Sequence, residues 1–132
     1  MRLSARIARF LVAGAAGFVV DVGVLSALVW CGADPRPARL VSFLAAMTLT
    51  WQINRVTTFG DRAGPATVAE FLRYAMASGL AALINLGVYM GLVTWGGAFR
   101  TWPVLAVAIA TALSMTVNFL SYLKLVFSPR PR

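Results

Sequence analysis

The chain has 132 residues, of which 60% are hydrophobic and only 12% charged, and it carries a formal charge of +8. So few charges cannot cover the surface of a water-soluble domain, in which about a quarter of residues are charged, and the length allows one domain and no second. A single cysteine, Cys31, excludes an intrachain disulfide, and the lack of histidine speaks against a metal site.

The first element opens on Arg2, Arg6 and Arg9 and runs on as an apolar stretch to Trp30. Its start resembles a secretory signal, but the run continues past any Ala-x-Ala cleavage site and is long enough to span a bilayer, so it reads as a retained first span. Three further apolar runs follow, and the four cover residues 10–30, 40–59, 74–95 and 104–127. Each has about the 20 residues that a helix needs to cross a hydrocarbon core of about 30 Å. Helices are expected because lipid cannot hydrogen-bond an exposed backbone. Turn-forming residues separate the runs: Gly32-Ala33-Asp34-Pro35-Arg36-Pro37, then residues 60–65, then Gly96-Gly97 with Pro103. The segment from Thr67 to Arg73 is expected to lie as a short interfacial helix before the third span.

A charge of +8 would suggest nucleic acid in a soluble protein, but here the basic residues lie almost wholly outside the apolar runs, which points to the membrane surface. Arg2, Arg6 and Arg9, then Arg55, Arg62 and Arg73, then Lys124, Arg130 and Arg132 stand at the two ends and the middle connection. The other two connections hold Arg36, Arg39 and Arg100, and this nine-to-three bias predicts that both termini are cytoplasmic. Trp30, Trp95, Trp102, Phe59 and Phe127 close the runs, as an interfacial aromatic belt requires.

The halves resemble each other. A shift of 64 positions pairs Arg9 with Arg73, Ala13 with Ala77, Asp21 with Asn85, Gly23 with Gly87, Val24 with Val88 and Leu28 with Leu92. A shift of 68 pairs Trp51 with Phe119 and Phe59 with Phe127. The expected fold is therefore all-α and integral to the membrane, with four transmembrane helices as a two-times-two parallel repeat.

Several short patterns together resemble the GtrA-like family over roughly residues 9–127. They are Arg9-Phe10-Leu11-Val12-Ala13-Gly14 and Arg73-Tyr74 at the openings of the two halves, and Asp21 within the first span. Asn54-Arg55-Val56-Thr57-Thr58-Phe59 closes the second span, and Asn118-Phe119, Lys124 and Val126-Phe127 close the fourth. Lys124 stands three residues before its phenylalanine and Arg55 four before its own, so the two are not placed alike. The resemblance implies a bacterial inner-membrane protein that moves a polyprenyl-phosphate sugar, such as undecaprenyl-phosphate glucose, to the outer leaflet. There a membrane glycosyltransferase would use it for a cell-envelope glycan.

Asp21 costs about 2.5–3.5 kcal/mol at a span centre and must face a partner or a cavity. It reads either as a structural partner of Asn85, Asn118 or an arginine, or as a group that binds sugar hydroxyls, orients a basic residue or changes protonation. Asn85 and Asn118 suit interhelical hydrogen bonds and also sugar hydroxyls. Arg9, Arg55, Arg73 and Lys124 fall at the predicted cytoplasmic ends, where they either anchor the topology or capture a lipid phosphate. Arg55, beside Asn54, is the leading phosphate ligand because arginine offers a bidentate fork.

Gly87-x-x-x-Gly91, with Gly23 and Ala27 at the matching positions, reads as helix packing within or between subunits. Four short helices enclose little volume, so a homodimer is the expected working unit. No nucleophile–base pair and no phosphate-cradling glycine loop followed by lysine is present, so the chain reads as no enzyme, with no cofactor. The competing readings are a small multidrug-type exporter and a scaffold that recruits a glycosyltransferase.

Overall fold

The computed structural model describes residues 1–128, so Arg130 and Arg132, counted in the charge bias, lie outside the described residues. These residues form helices and no strand. They divide into two compact units, Met1–Thr67 and Val68–Ser128.

The first unit is a helical hairpin of α1 (Leu3–Trp30) and α2 (Pro35–Ile53). Its turn follows from local chemistry. Gly32, at φ +89°, takes the left-handed position that ends a helix, and the Ala33 and Gly32 amides bond the Leu28 and Val29 carbonyls at 3.0 and 2.9 Å. Asp34 then caps α2 by accepting the Arg36 amide at 2.8 Å, with Pro35 in the first helical position, where its missing N–H costs nothing. Between the helices lie small residues, Ala13 and Gly17 from α1 and Ala38, Ser42 and Ala46 from α2, all buried. Small side chains let two backbones approach closely. A Cβ placed on Gly17 would collide with the methyl of Thr50, so this position admits only glycine without rearrangement.

The second unit pairs α3 (Val68–Trp95) with α5 (Pro103–Ser121) through Gly96, Gly97 and the short α4 (Ala98–Thr101). Its buried small residues are Ala77, Ala81, Ala106, Ala110 and Ser114. The buried positions of α1 (Arg6, Phe10, Ala13, Gly17) and of α3 (Glu70, Tyr74, Ala77, Ala81) stand 64 residues apart. Those of α2 (Ala38, Ser42, Ala46) and of α5 (Ala106, Ala110, Ser114) stand 68 apart. Each unit also ends alike, in a five-residue π-helical turn, Asn54–Thr58 or Tyr122–Val126. The amides of Phe59 and Phe127 close these turns on the carbonyls five residues back, both at 2.8 Å.

Three helical stretches are long and apolar enough to cross a membrane: Leu3–Trp30, Val68–Trp95 and Pro103–Val126. The second expected span, residues 40–59, falls on α2 and is not among these three. Its helix forms, but Arg36, Arg39, Ser42, Thr48, Thr50 and Gln52 make it less apolar than the others. All helices begin before the apolar runs do, at residues 3, 35, 68 and 103. Arginine, glutamate and leucine are good helix formers, so the hydrogen-bonded helix outlasts its oily part. For the same reason the expected interfacial helix at 67–73 is instead the first turns of α3. The glycine face of α3, expected to pack within or between subunits, is open in its own helix pair. A Cβ on Gly87 or Gly91 would meet no atom within 4 Å, so neither glycine makes a close contact within the described residues.

Candidate polar sites in the two helix pairs

Asp21 finds its partners within the first unit. Its two carboxylate oxygens accept hydrogen bonds from a single nitrogen of Arg39, Nη1, at 2.5 Å each. The Ser42 hydroxyl donates to Asp21 Oδ1 at 2.7 Å and is itself 3.5 Å from Arg39 Nη1. Of the sequence-based alternatives for its partner, an arginine is the one realised. The Asp21 side chain is 16% exposed and that of Arg39 is 53% exposed, so the acid is turned inward and the guanidinium outward.

A second polar group occupies the other end of the same hairpin. Buried Arg6 bonds Asp61 at 2.6 Å and lies 5.7 Å from the Phe59 ring centroid, which makes a cation–π contact. Its Nη1 atom is buried with no hydrogen-bond partner among the described residues. Arg9 donates to the Thr57 carbonyl at 2.9 Å, and the Arg55 guanidinium donates to the Gly64 carbonyl. Asn54 is buried and accepts the Thr58 hydroxyl at 2.9 Å. Thus Arg6, Arg9 and Arg55 all hold the segment that follows α2. Partial desolvation would raise the Asp61 carboxyl, but the hydrogen bond and charge of Arg6 outweigh it and hold Asp61 below the ordinary aspartate value.

The second unit places neutral groups where the first has charges. Asn85 Nδ2 donates to Ser114 at 3.1 Å and lies 3.4 Å from Thr111 Oγ1. Tyr122 stacks on Tyr74 with centroids 4.2 Å apart, and its hydroxyl lies 2.6 Å from that of Ser78. Asn118 has its Oδ1 buried without a hydrogen-bond partner among the described residues. Arg73 and Lys124 are exposed, one in the second turn of α3 and the other in the closing π-helical turn.

Of the sequence-predicted residues, Arg9, Asn54 and Arg55 therefore share one end of the first unit. Asp21 stands apart from them, twelve residues along α1 from Arg9, or about 18 Å at 1.5 Å per residue. Asn85 and Asn118 belong to the second unit. Sequence reasoning missed Arg39, Ser42, Arg6 and Asp61. The signal for the first pair was available: a tight Gly32–Asp34 turn makes α1 and α2 antiparallel, which brings the early residues of α2 beside Asp21.

No curated protein compared with this chain matches it significantly. The family model described as GtrA/DPMS, transmembrane domain, matches residues 9–127, which takes in both units, Asp21 and Arg39, and both closing π-helical turns. This chain is a multi-pass membrane protein of the GtrA/DPMS transmembrane-domain family, which is linked to polyprenyl-phosphate sugar handling in cell-surface glycosylation.

Proposed function

We propose that the protein translocates a polyprenyl-phosphate-linked monosaccharide, such as undecaprenyl-phosphate glucose, across the bacterial inner membrane. The family match over residues 9–127 carries this reading. In it α2 is the fourth transmembrane helix, both termini face the cytoplasm, and the two units are repeats of one another. The shared 64- and 68-residue spacing of buried positions supports the repeat. The protein works as a homodimer, supported by the open face at Gly87 and Gly91, where a second copy could approach closely.

Arg55 is the leading phosphate ligand, assisted by Arg9 and Asn54 at the same end of the first unit, while Arg73 and Lys124 are the candidate phosphate ligands of the second unit by itself. Arg55 would exchange its bond to the Gly64 carbonyl for a stronger, charge-assisted bond to phosphate. Asp21 in the first unit, and Asn85 and Asn118 in the second, are the groups of each helix pair suited to sugar hydroxyls. A multidrug-type exporter is less well supported, because Asp21 is already neutralised by Arg39 and offers a cationic drug no free carboxylate.

Purified protein in liposomes with labelled undecaprenyl-phosphate glucose tests the proposal. Transbilayer movement is expected with this protein alone, and Arg55→Lys should slow it without changing the amount of folded protein. A glycosyltransferase scaffold predicts no movement in the absence of its enzyme, and that result would overturn the proposal.

A further inference from the structure

The bond pattern at Arg39 is lopsided. Asp21 and Ser42 all engage Nη1, and among the described residues no group bonds Nη2 or Nε. Asp21 could have taken the guanidinium as a two-nitrogen fork, the usual arrangement for arginine and carboxylate. Instead both its oxygens crowd one nitrogen, and the edge formed by Nη2 and Nε is left over on a side chain that is 53% exposed.

The direction of the side chain matters as well. Arg39 stands four residues after Pro35, so snorkelling toward the near end of α2 would be short and inexpensive. Its guanidinium goes the other way, to an aspartate nine residues before the end of α1, or about 14 Å along that helix. In the reading in which α2 spans the membrane, a guanidinium edge drawn inward from the helix end is taken away from water and calls for an acceptor. Asp21 cancels the formal charge and, at 16% exposed against 53%, is the less accessible of the two.

We infer that Arg39, positioned by Asp21 and Ser42, is a binding site for the phosphate of a polyprenyl-phosphate lipid, distinct from the Arg9 and Arg55 end of the same hairpin. This rests on the translocation reading and deepens it, for it gives the first unit two phosphate stations about 18 Å apart along α1. The phosphate is the shared chemistry, and the lipid is the source because the fork opens from apolar helices.

The test uses the full chain in phosphatidylcholine nanodiscs, with farnesyl phosphate, farnesol and inorganic phosphate as probes. Arg39→Lys keeps the ion pair but loses the fork, and it should weaken farnesyl phosphate about tenfold, the value of one charge-assisted hydrogen bond, while farnesol binding stays the same. Arg36→Lys, an exposed arginine in the first turn of α2, is the control and should change neither. Should Arg39→Lys fold poorly, the neutral double variant Asp21→Asn/Arg39→Gln should likewise weaken farnesyl phosphate about tenfold and leave farnesol binding the same. The residual preference for the phosphate is then carried by the Arg9 and Arg55 end. Unchanged farnesyl phosphate affinity in both variants overturns the assignment. Inorganic phosphate binding as tightly, and with the same dependence on Arg39, overturns the lipid as its source. Arg39-dependent binding by a wild-type protein that moves no lipid would remove the translocation reading and leave the site. Translocation unaffected by Arg39→Lys, with unchanged binding, would remove the site and leave translocation.

Discussion

The two helix pairs are close in dimensions and differ in chemistry. Each has a 28-residue helix, a 19-residue helix and a five-residue π-helical turn. Each buries a ladder of small residues between its helices. Where the first pair is clamped by Asp21, Arg39 and Ser42, the second uses Asn85 with Ser114 and Thr111. Val107 stands 68 residues after Arg39. The second pair therefore shows that an amide and two hydroxyls suffice to hold such a ladder together. Charge in the first pair exceeds what packing requires, and an expensive group that packing does not require is a candidate for function.

Moving the charge from one pair to the other is the severest test of this comparison. Asn85→Asp puts a carboxylate beside Ser114 and Thr111 with no cation to match it, and should cost about 2.5–3.5 kcal/mol of stability. Adding Val107→Arg should recover much of that loss, as seen by thermal unfolding in mild detergent. Failure of the second substitution to help would mean that the two pairs are not comparable at these positions.

The reverse exchange, Asp21→Asn, leaves the Arg39 charge unmatched. Arg39 is 53% exposed, however, and the amide oxygen can still accept from it or from Ser42, so folding should suffer less than in Asn85→Asp. Translocation per folded protein should nevertheless fall at least about tenfold, or 1.4 kcal/mol in barrier. Unaltered transport would reduce Asp21 to a structural partner of Arg39.

A smaller effect is expected where the ladders differ in size. Gly17→Ala drives a methyl into Thr50 and should destabilise the first pair by about 1–2 kcal/mol, whereas Ala81 already carries a methyl at the position 64 residues on. Thr50→Ala should restore stability in the Gly17→Ala background, and a stability measurement showing no rescue would mean that the collision is relieved elsewhere.

The smallest effect concerns the Arg6–Asp61 pair. Asp61 titrates below the ordinary aspartate value in the folded protein. The stability it contributes is therefore complete above that ordinary value of about 3.9 and is lost as pH falls through the lower, folded value. Because the Asp61 side chain is 45% exposed, the pair should contribute under about 1 kcal/mol. Melting temperatures of the wild type and Asp61→Asn should differ slightly at pH 6 and converge at the lowest pH the fold survives.

Hydropathy along the chain marked four segments as spans, and all four form helices, three of them long and apolar enough to cross a membrane, because burial in lipid is a sum over neighbouring residues. The same list of residues supported the family resemblance, since Asn54-Arg55, Thr58-Phe59 and Asn118-Phe119 are contiguous signatures. The helices start at 3, 35 and 68, ahead of the apolar runs at 10, 40 and 74, because hydropathy marks where a helix is oily and says nothing of where its backbone bonds begin. Asp21 was legible as a group in need of a partner, from the cost of a lone acid in an apolar span.

Only the tertiary structure decided which partner it takes. Arg39 is eighteen residues away in sequence and becomes a neighbour because Gly32 and Asp34 reverse the chain in one tight turn and small residues let α1 and α2 lie close. Likewise Arg6 and Asp61, 55 residues apart, meet only when the hairpin closes and the π-helical turn ends at Phe59. Composition and periodicity act over a few turns of one helix. The pairing of charges depends on the register between two helices, set jointly by the turn that joins them and by the side chains small enough to let them touch.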